Sequence, residues 1–188
     1  MLFSNCTLFI GDIETDGPDM ERNSMIWLGV FRLTESLGTK FEGKIRPKTN
    51  TWNSEALGVT GLSREETMMF ERPEIAIPGF VEWVNSNTEP GKRALFCSDN
   101  NGYDWGWLNY YLWRYAEGNP FGHTSCNIRN LYQGLMAGRA AAGIKENHPH
   151  SSFEHLVMTP HDHNPVNDAR GLAEALLGMR QYGLAIPV

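Results

Sequence analysis

An α/β fold, a mixed sheet flanked by helices, is what this 188-residue sequence predicts. Two observations carry the prediction. Short apolar or alternating runs crowd the N-terminal quarter, and one more lies mid-chain. Helix-periodic segments fill the rest of the chain. Aromatic residues are spread throughout, and there is no internal repeat, low-complexity tract or Gly/Ser/Pro-rich linker, so residues 1–188 read as a single domain.

Cys6-Thr7-Leu8-Phe9-Ile10 is an apolar run ending at Gly11 and suits a buried strand. Met25 to Leu33 reads as a second strand. Lys40 to Arg46 alternates between Gly38 and Pro47 and reads as a third, polar on one face. Together these three suggest an antiparallel meander. Arg93 to Cys97 is a further short strand. Pro73 to Asn85 spaces Ile77, Phe80, Val81 and Val84 as a helix does, and Tyr103 to Ala116 is an aromatic-rich helix without an internal proline. Ile128 to Ala142 puts Leu131, Leu135 and Met136 on one side. Near the C-terminus Asn164 is an N-cap, Pro165 suits the first helical position, and Leu172, Ala175, Leu176 and Met179 form the apolar stripe.

Hydrophobic residues make up 41% and charged residues 20%, which excludes wholesale disorder. Sixteen Lys+Arg against 22 Asp+Glu give a net charge of -6, so a purely electrostatic nucleic-acid coat is excluded, whereas an enzyme that brings metal cations to phosphates is not. Three cysteines without CxxC spacing argue against a disulfide framework and fit a reducing compartment. No apolar run approaches the roughly 18 residues of a membrane span, and the N-terminus lacks signal-peptide character, so the expectation is a soluble cytoplasmic protein.

Three polar features carry chemistry. In Gly11-Asp12-Ile13-Glu14-Thr15-Asp16-Gly17, Asp12 and Glu14 fall two apart at a strand end and share a face. Two ionised carboxylates side by side repel, which favours a bound cation, and hard oxygen ligands suit Mg²⁺ or Mn²⁺. The bland alternative is an acidic turn. In Asn100-Asn101-Gly102-Tyr103-Asp104-Trp105, Asp104 sits among aromatic rings, where a carboxylate needs a partner or a metal; the alternative is a first-turn acid favoured by the helix dipole. Asp99, nearby, reads as a loop residue. In His163-Asn164-Pro165-Val166-Asn167-Asp168, Asp168 lies in the first turns of the last helix and His163 in the preceding loop, a pair equipped to take a proton from water.

In order, D-x-E at a strand end, N-x-x-Y-D mid-chain and H-x4-D at the last helix resemble the DEDDh exonucleases, the superfamily that includes RNase T, oligoribonuclease and the proofreading subunit of bacterial DNA polymerase III. The likeness covers most of the chain and is nearest to the mycobacterial and phage-borne exoribonuclease-like group. Ser54-Glu55-Ala56-Leu57-Gly58-Val59-Thr60-Gly61-Leu62-Ser63 resembles the family's connecting segment, with Thr60 where a histidine is common. The resemblance implies an RNase H-like fold with a central five-stranded mixed sheet. It implies two Mg²⁺ or Mn²⁺ held by Asp12, Glu14, Asp104 and Asp168, with His163 as general base. It also implies release of mononucleotides from single-stranded 3′ ends, RNA favoured over DNA. Thr15, Leu62 and Tyr103 are the expected substrate contacts.

Other patterns fit the chemistry less well. His148, His150, His155, His161 and His163 match no zinc spacing, and apart from His163 read as polar loop residues. The aromatic run Tyr103–Tyr115 suits a core face and a contact with a second copy, which makes a homodimer the expected assembly; stacking on bases is the alternative. Lys40, Lys44, Arg46 and Lys48 read as a solvated edge or as a phosphate-steering stripe. A non-catalytic binding module on the same fold and a proofreading-type DNA exonuclease stand as alternative functions; the intact set of four acids favours an enzyme.

Overall fold

The computed structural model describes residues 3–188. Its sheet has five strands in the order β3-β2-β1-β4-β5: β1 (Cys6–Thr15), β2 (Met25–Arg32), β3 (Lys40–Lys44), β4 (Arg93–Ser98) and β5 (Ser125–Asn127). β1, β2 and β3 form the antiparallel meander, and β1, β4 and β5 run parallel. The helices are α1 (Ser54–Val59), α2 (Arg64–Met68), α3 (Pro73–Asn87), α4 (Asn101–Tyr115), α5 (Ile128–Ala141) and α6 (Pro165–Gly178).

β1 is the central strand and alternates between two cores, as successive strand side chains must. Leu8 and Ile10 join Leu95, Cys97, Ile128, Tyr132, Leu172 and Leu176 beneath α5 and α6. Phe9 and Ile13 join Phe96, Ile77, Phe80, Trp107 and Tyr111 beneath α3 and α4. Even-numbered residues of β1 therefore face α6 and odd-numbered ones face α4. That parity decides where each polar residue at the end of β1 points.

Two departures from the sequence expectations matter. β1 does not stop at Ile10. It runs on to Thr15 because β2 keeps pairing with it, Asp12 opposite Gly29 and Glu14 opposite Trp27, whereas its pairing with β4 ends at Ile10–Cys97. The acids thus project from a strand supported on one side and open on the other. β5 is only three residues long and carries no apolar alternation, so it leaves no trace in the sequence pattern. The connecting segment folds into α1 and α2, and Ser63 closes a full capping box with Glu66.

α4 starts at Asn101, two residues ahead of the expected start, so Asp104 lies in its first turn. Its aromatic surplus is largely absorbed by the core. Trp107 and Tyr111 are fully buried, and the Met25 N–H donates to the Tyr111 hydroxyl at 2.9 Å. Trp113 remains half-exposed. α6 is capped as expected, with the Val166 N–H donating to Asn164 Oδ1 at 3.0 Å. Its first turn lies directly on β2: a Cβ at Gly29 would meet the carbonyl carbon and oxygen of Pro165 at 2.3 Å. Among the described residues no helix is long and apolar enough to cross a membrane.

Candidate active site

Because Gly29 pairs with Asp12 and has no side chain, the first turn of α6 descends onto the sheet beside Asp12. This brings Asp168 to the even-numbered face of β1. Ligand-capable atoms of Asp12, Glu14 and Asp168 all lie within 4.8 Å of one another. Asp104 comes from the other layer, at the point where β4 gives way to α4, and its charge raises the pKa of both Asp12 and Glu14. The four acids therefore converge at the carboxyl ends of two adjacent parallel strands, where open α/β sheets bind ligands.

The convergence has an electrostatic cost. Burial and the charges of Asp104, Asp168 and Glu14 hold the Asp12 carboxyl well above the usual range. Burial, then Asp168 and Asp104, push Glu14 up to about 8. Burial takes Asp104 up to about 7 against the opposing pull of the Ser98 hydroxyl. Asp168 is raised by burial, although the Asp162 N–H donates to its Oδ1 at 3.1 Å. Repulsion among buried carboxylates is relieved by protons or by cations. Asp104 Oδ2 is buried without a hydrogen-bond partner, and the buried Asp168 Oδ2 has only the His161 imidazole beside it. Buried polar atoms are rarely left unpaired, and hard carboxylate oxygens in this state fit a divalent cation such as Mg²⁺ or Mn²⁺.

His163 lies beside the cluster, half-exposed, with Nδ1 3.7 Å from Glu14 Oε1. Its backbone is left-handed, φ 60°, an unusual state for a residue with a side chain. His161, read as a polar loop residue from the sequence, belongs to the same site: its Nδ1 is 2.9 Å from Asp168 Oδ2, and the two imidazoles are 4.4 Å apart. The i, i+2 spacing of His161 and His163 ahead of an N-cap was the signal available for it.

Two of the expected substrate contacts, Thr15 and Tyr103, lie on the odd-numbered side. Thr15 faces α4, and its hydroxyl is 2.6 Å from that of Tyr103. Tyr103 packs edge-on against Trp107. Leu62 packs on Ile26, Trp27 and Leu57, one strand across from Glu14 and Thr15. Thr60 sets the turn before it: its hydroxyl donates to the Leu57 carbonyl at 2.7 Å and accepts the Leu62 N–H at 3.2 Å. Asp16, two residues beyond Glu14, is fully buried and turns away. It binds Arg64 of α2 at 2.8 Å and accepts the Ser24 N–H, which ties the Leu62 segment to the end of β1. Asp99 is, as expected, a loop residue, in the bend between β4 and α4. It takes a two-pronged contact from Arg129, 2.9 Å to Nε and 2.5 Å to Nη2, at the rim of a cavity of about 660 Å³ that opens from Asp12 and Asp168.

No protein-family model matches the chain. The 3′–5′ DNA exonuclease Cap18 of Escherichia coli is 31% identical over 167 residues, which cover 87% of this chain and 86% of Cap18. Among solved structures, the nuclease domain of 3′hExo, a DEDDh family member, superposes with a TM-score of 0.71 at 14% identity, over 97% of this chain and 96% of that one. Exonuclease I superposes with a TM-score of 0.72 at 16% identity over 94% of this chain, which spans 41% of the larger enzyme. With a relative at 31% identity along most of both chains, an RNase H-like layering and acids in the D-x-E, D, H-x4-D order, this chain is a member of the DEDDh 3′–5′ exonuclease superfamily.

Proposed function

We propose that the protein is a metal-dependent 3′–5′ exonuclease that releases mononucleotides one at a time from single-stranded DNA. The observation that carries the chemistry is the convergence of Asp12, Glu14, Asp104 and Asp168, with a buried oxygen of Asp104 left unpartnered. Two divalent cations held by these acids would polarise the scissile phosphate and acidify an attacking water. The acids hold and orient; His163, half in solvent at the edge of the cluster, accepts the proton of the attacking water. Hydrolysis breaks the bond between phosphorus and the 3′ oxygen of the preceding nucleotide, leaving a nucleoside 5′-monophosphate and a new 3′-hydroxyl.

The direction of the strand follows from the walls of the site. The Thr15–Tyr103 pair on the α4 side and the Asp16–Arg64 tie at the end of β1 close it off, which suits a terminal sugar. On the α6 side the 660 Å³ cavity stays open and suits the nucleotides that precede it. The family resemblance somewhat favours RNA. The relative at 31% identity is a DNA exonuclease, and exonuclease I has been solved with dT13 and dA16 oligonucleotides, which moves the reading to DNA. The test is hydrolysis of 5′-labelled DNA and RNA of one sequence, linear and circular, with Mg²⁺, Mn²⁺ or EDTA. Stepwise shortening of linear DNA, abolished by EDTA, is expected. Faster shortening of RNA would transfer the substrate to RNA, and cutting of the circles would refute exonucleolytic action.

A further inference from the structure

On the α4 side, away from the acids, four cations line a second cleft of about 550 Å³: Arg46, Lys48, Arg72 and Arg114. Asp104 is in the first turn of α4 and Arg114 in its last, about 15 Å apart along the axis at 1.5 Å per residue, so this cleft is separate from the carboxylate cluster. In a chain of net charge -6, such a local excess of cations is unusual. Among the described residues Arg46, Lys48 and Arg114 make no ion pair with a carboxylate. Arg46 Nε donates to the Phe70 carbonyl at 3.1 Å, and Lys48 Nζ donates to the carbonyls of Met20 and Glu21 at 2.8 and 3.1 Å. Arg72 has a partner, Glu74, but that contact is 3.4 Å long and exposed at both ends, so it is weak. Glu21 and Glu74 are the acids of the lining.

Two tyrosines complete the wall. Lys48 Nζ lies 5.5 Å from the ring centre of Tyr110, and the Arg114 guanidinium lies 6.0 and 5.7 Å from those of Tyr110 and Tyr115. We propose that this cleft is a second binding site, distinct from the catalytic acids, that takes a nucleoside phosphate with its phosphate among Arg46, Lys48 and Arg114 and its base against Tyr110 and Tyr115. Cations held together repel, and an anion relieves them as a metal relieves clustered acids; burial and the Arg114 charge lower the Lys48 pKa, with Asp16, Asp19 and Glu21 acting against them. The volume suits one nucleotide. Tyrosine faces stack on any base, so the site discriminates little among bases.

The ligand is a free nucleotide or one unit of a strand, and a titration separates these sources. Binding of dAMP and of a dT oligonucleotide to the full chain is measured by calorimetry in EDTA, which removes the cations that would hold phosphate at the acids. Arg114 is exposed in the last turn of α4, so Arg114→Glu and Arg114→Ala are used together, with a thermal melt to verify the fold. Arg114→Glu is expected to weaken binding at least tenfold. Arg114→Ala is expected to lower the salt slope of oligonucleotide binding by roughly 0.7–1, the contribution of one lost phosphate contact. Weakening for both ligands identifies a nucleotide site open to either source, and weakening for the oligonucleotide alone identifies a strand contact. Unchanged affinity and slope in the folded variants, or the absence of wild-type binding in EDTA, would overturn the proposal. Hydrolysis of a dinucleotide with Mg²⁺ is expected to be unchanged in both variants. A wild type that hydrolyses nothing would refute the nuclease reading while leaving the EDTA titration to decide the cleft.

Discussion

Replacing Glu14 by glutamine should stabilise the metal-free protein while destroying its activity. Glu14 is 15% exposed at its side chain, and its pKa is pushed from 4.5 to about 8 by burial and by the charges of Asp168 and Asp104. Below pH 4.5 the folded and unfolded chains both hold this proton. Between 4.5 and 8 the folded chain keeps it and the unfolded chain releases it, so stability falls as pH rises through that window and levels off above it. At 1.36 kcal/mol per pKa unit, and allowing for partial solvent access, the loss by pH 8.5 is roughly 4 kcal/mol. For a chain of this length that corresponds to about 10 °C in melting temperature. Glutamine keeps the shape without the charge. Thermal melts in EDTA should therefore show the wild type declining from pH 5 to 8.5 and Glu14→Gln declining less, the variant melting roughly 10 °C higher at pH 8.5. Mg²⁺ or Mn²⁺ should raise the wild type by mass action and move the variant much less. Hydrolysis by the variant should fall sharply, because one of the acids that would hold the metal is lost. A variant no more stable than the wild type at pH 8.5 in EDTA would refute the picture of mutually repelling acids.

Three further outcomes are expected. His163→Ala should cut turnover by roughly 10²–10⁴, the range for a lost general base, and leave the metal-induced rise in melting temperature intact; full activity in steady-state assays would remove His163 from the mechanism. Gly29→Ala drives a methyl into the Pro165 carbonyl, so denaturant titration should show a loss of roughly 1–3 kcal/mol, and the displaced α6 should weaken the metal response; wild-type behaviour in both would mean that α6 does not depend on this contact. Arg64→Ala leaves the buried Asp16 carboxylate without its cation, and urea unfolding should register roughly 3–5 kcal/mol of destabilisation; a loss below 1 kcal/mol would show that the tie between α2 and β1 matters little.

The features legible in the sequence were those with a local cause. Apolar periodicity marks β2, β3, β4, α3, α4 and α5, and Asn164-Pro165 marks the start of α6 to the residue, because a cap is a contact between neighbours in the chain. The spacing of Asp12 and Glu14 correctly gave one face. The extent of β1 was hidden because its last residues are polar and owe their strand geometry to β2. β5 was hidden for the same reason, three residues recruited by β4 alone. Site residues that depend on tertiary placement were missed or misjudged. His161 becomes part of the site only because the loop before α6 turns it toward Asp168. Asp99 acquires a role only because α5 brings Arg129 across to it. Asp16, adjacent to the acidic motif, could equally have been a fifth ligand. The register shift after Glu14, the end of β1 at Thr15 and the position of α2 send it elsewhere.

The seat of α6 on Gly29 also bears on when the protein becomes active. Asp168 is 139 residues beyond Gly29, and the contact that delivers it closes one of the longest loops in the chain. Loop closure of that length is an entropic cost met late, once the sheet exists to receive the helix. Until then Asp12 and Glu14 have no fourth-element partner, and a growing or partly unfolded chain holds an incomplete cluster with little hold on a cation. Hydrolysis is therefore a property of the completed fold. A chain in which α6 is not seated on Gly29 lacks Asp168 at the cluster, whatever the state of the sheet.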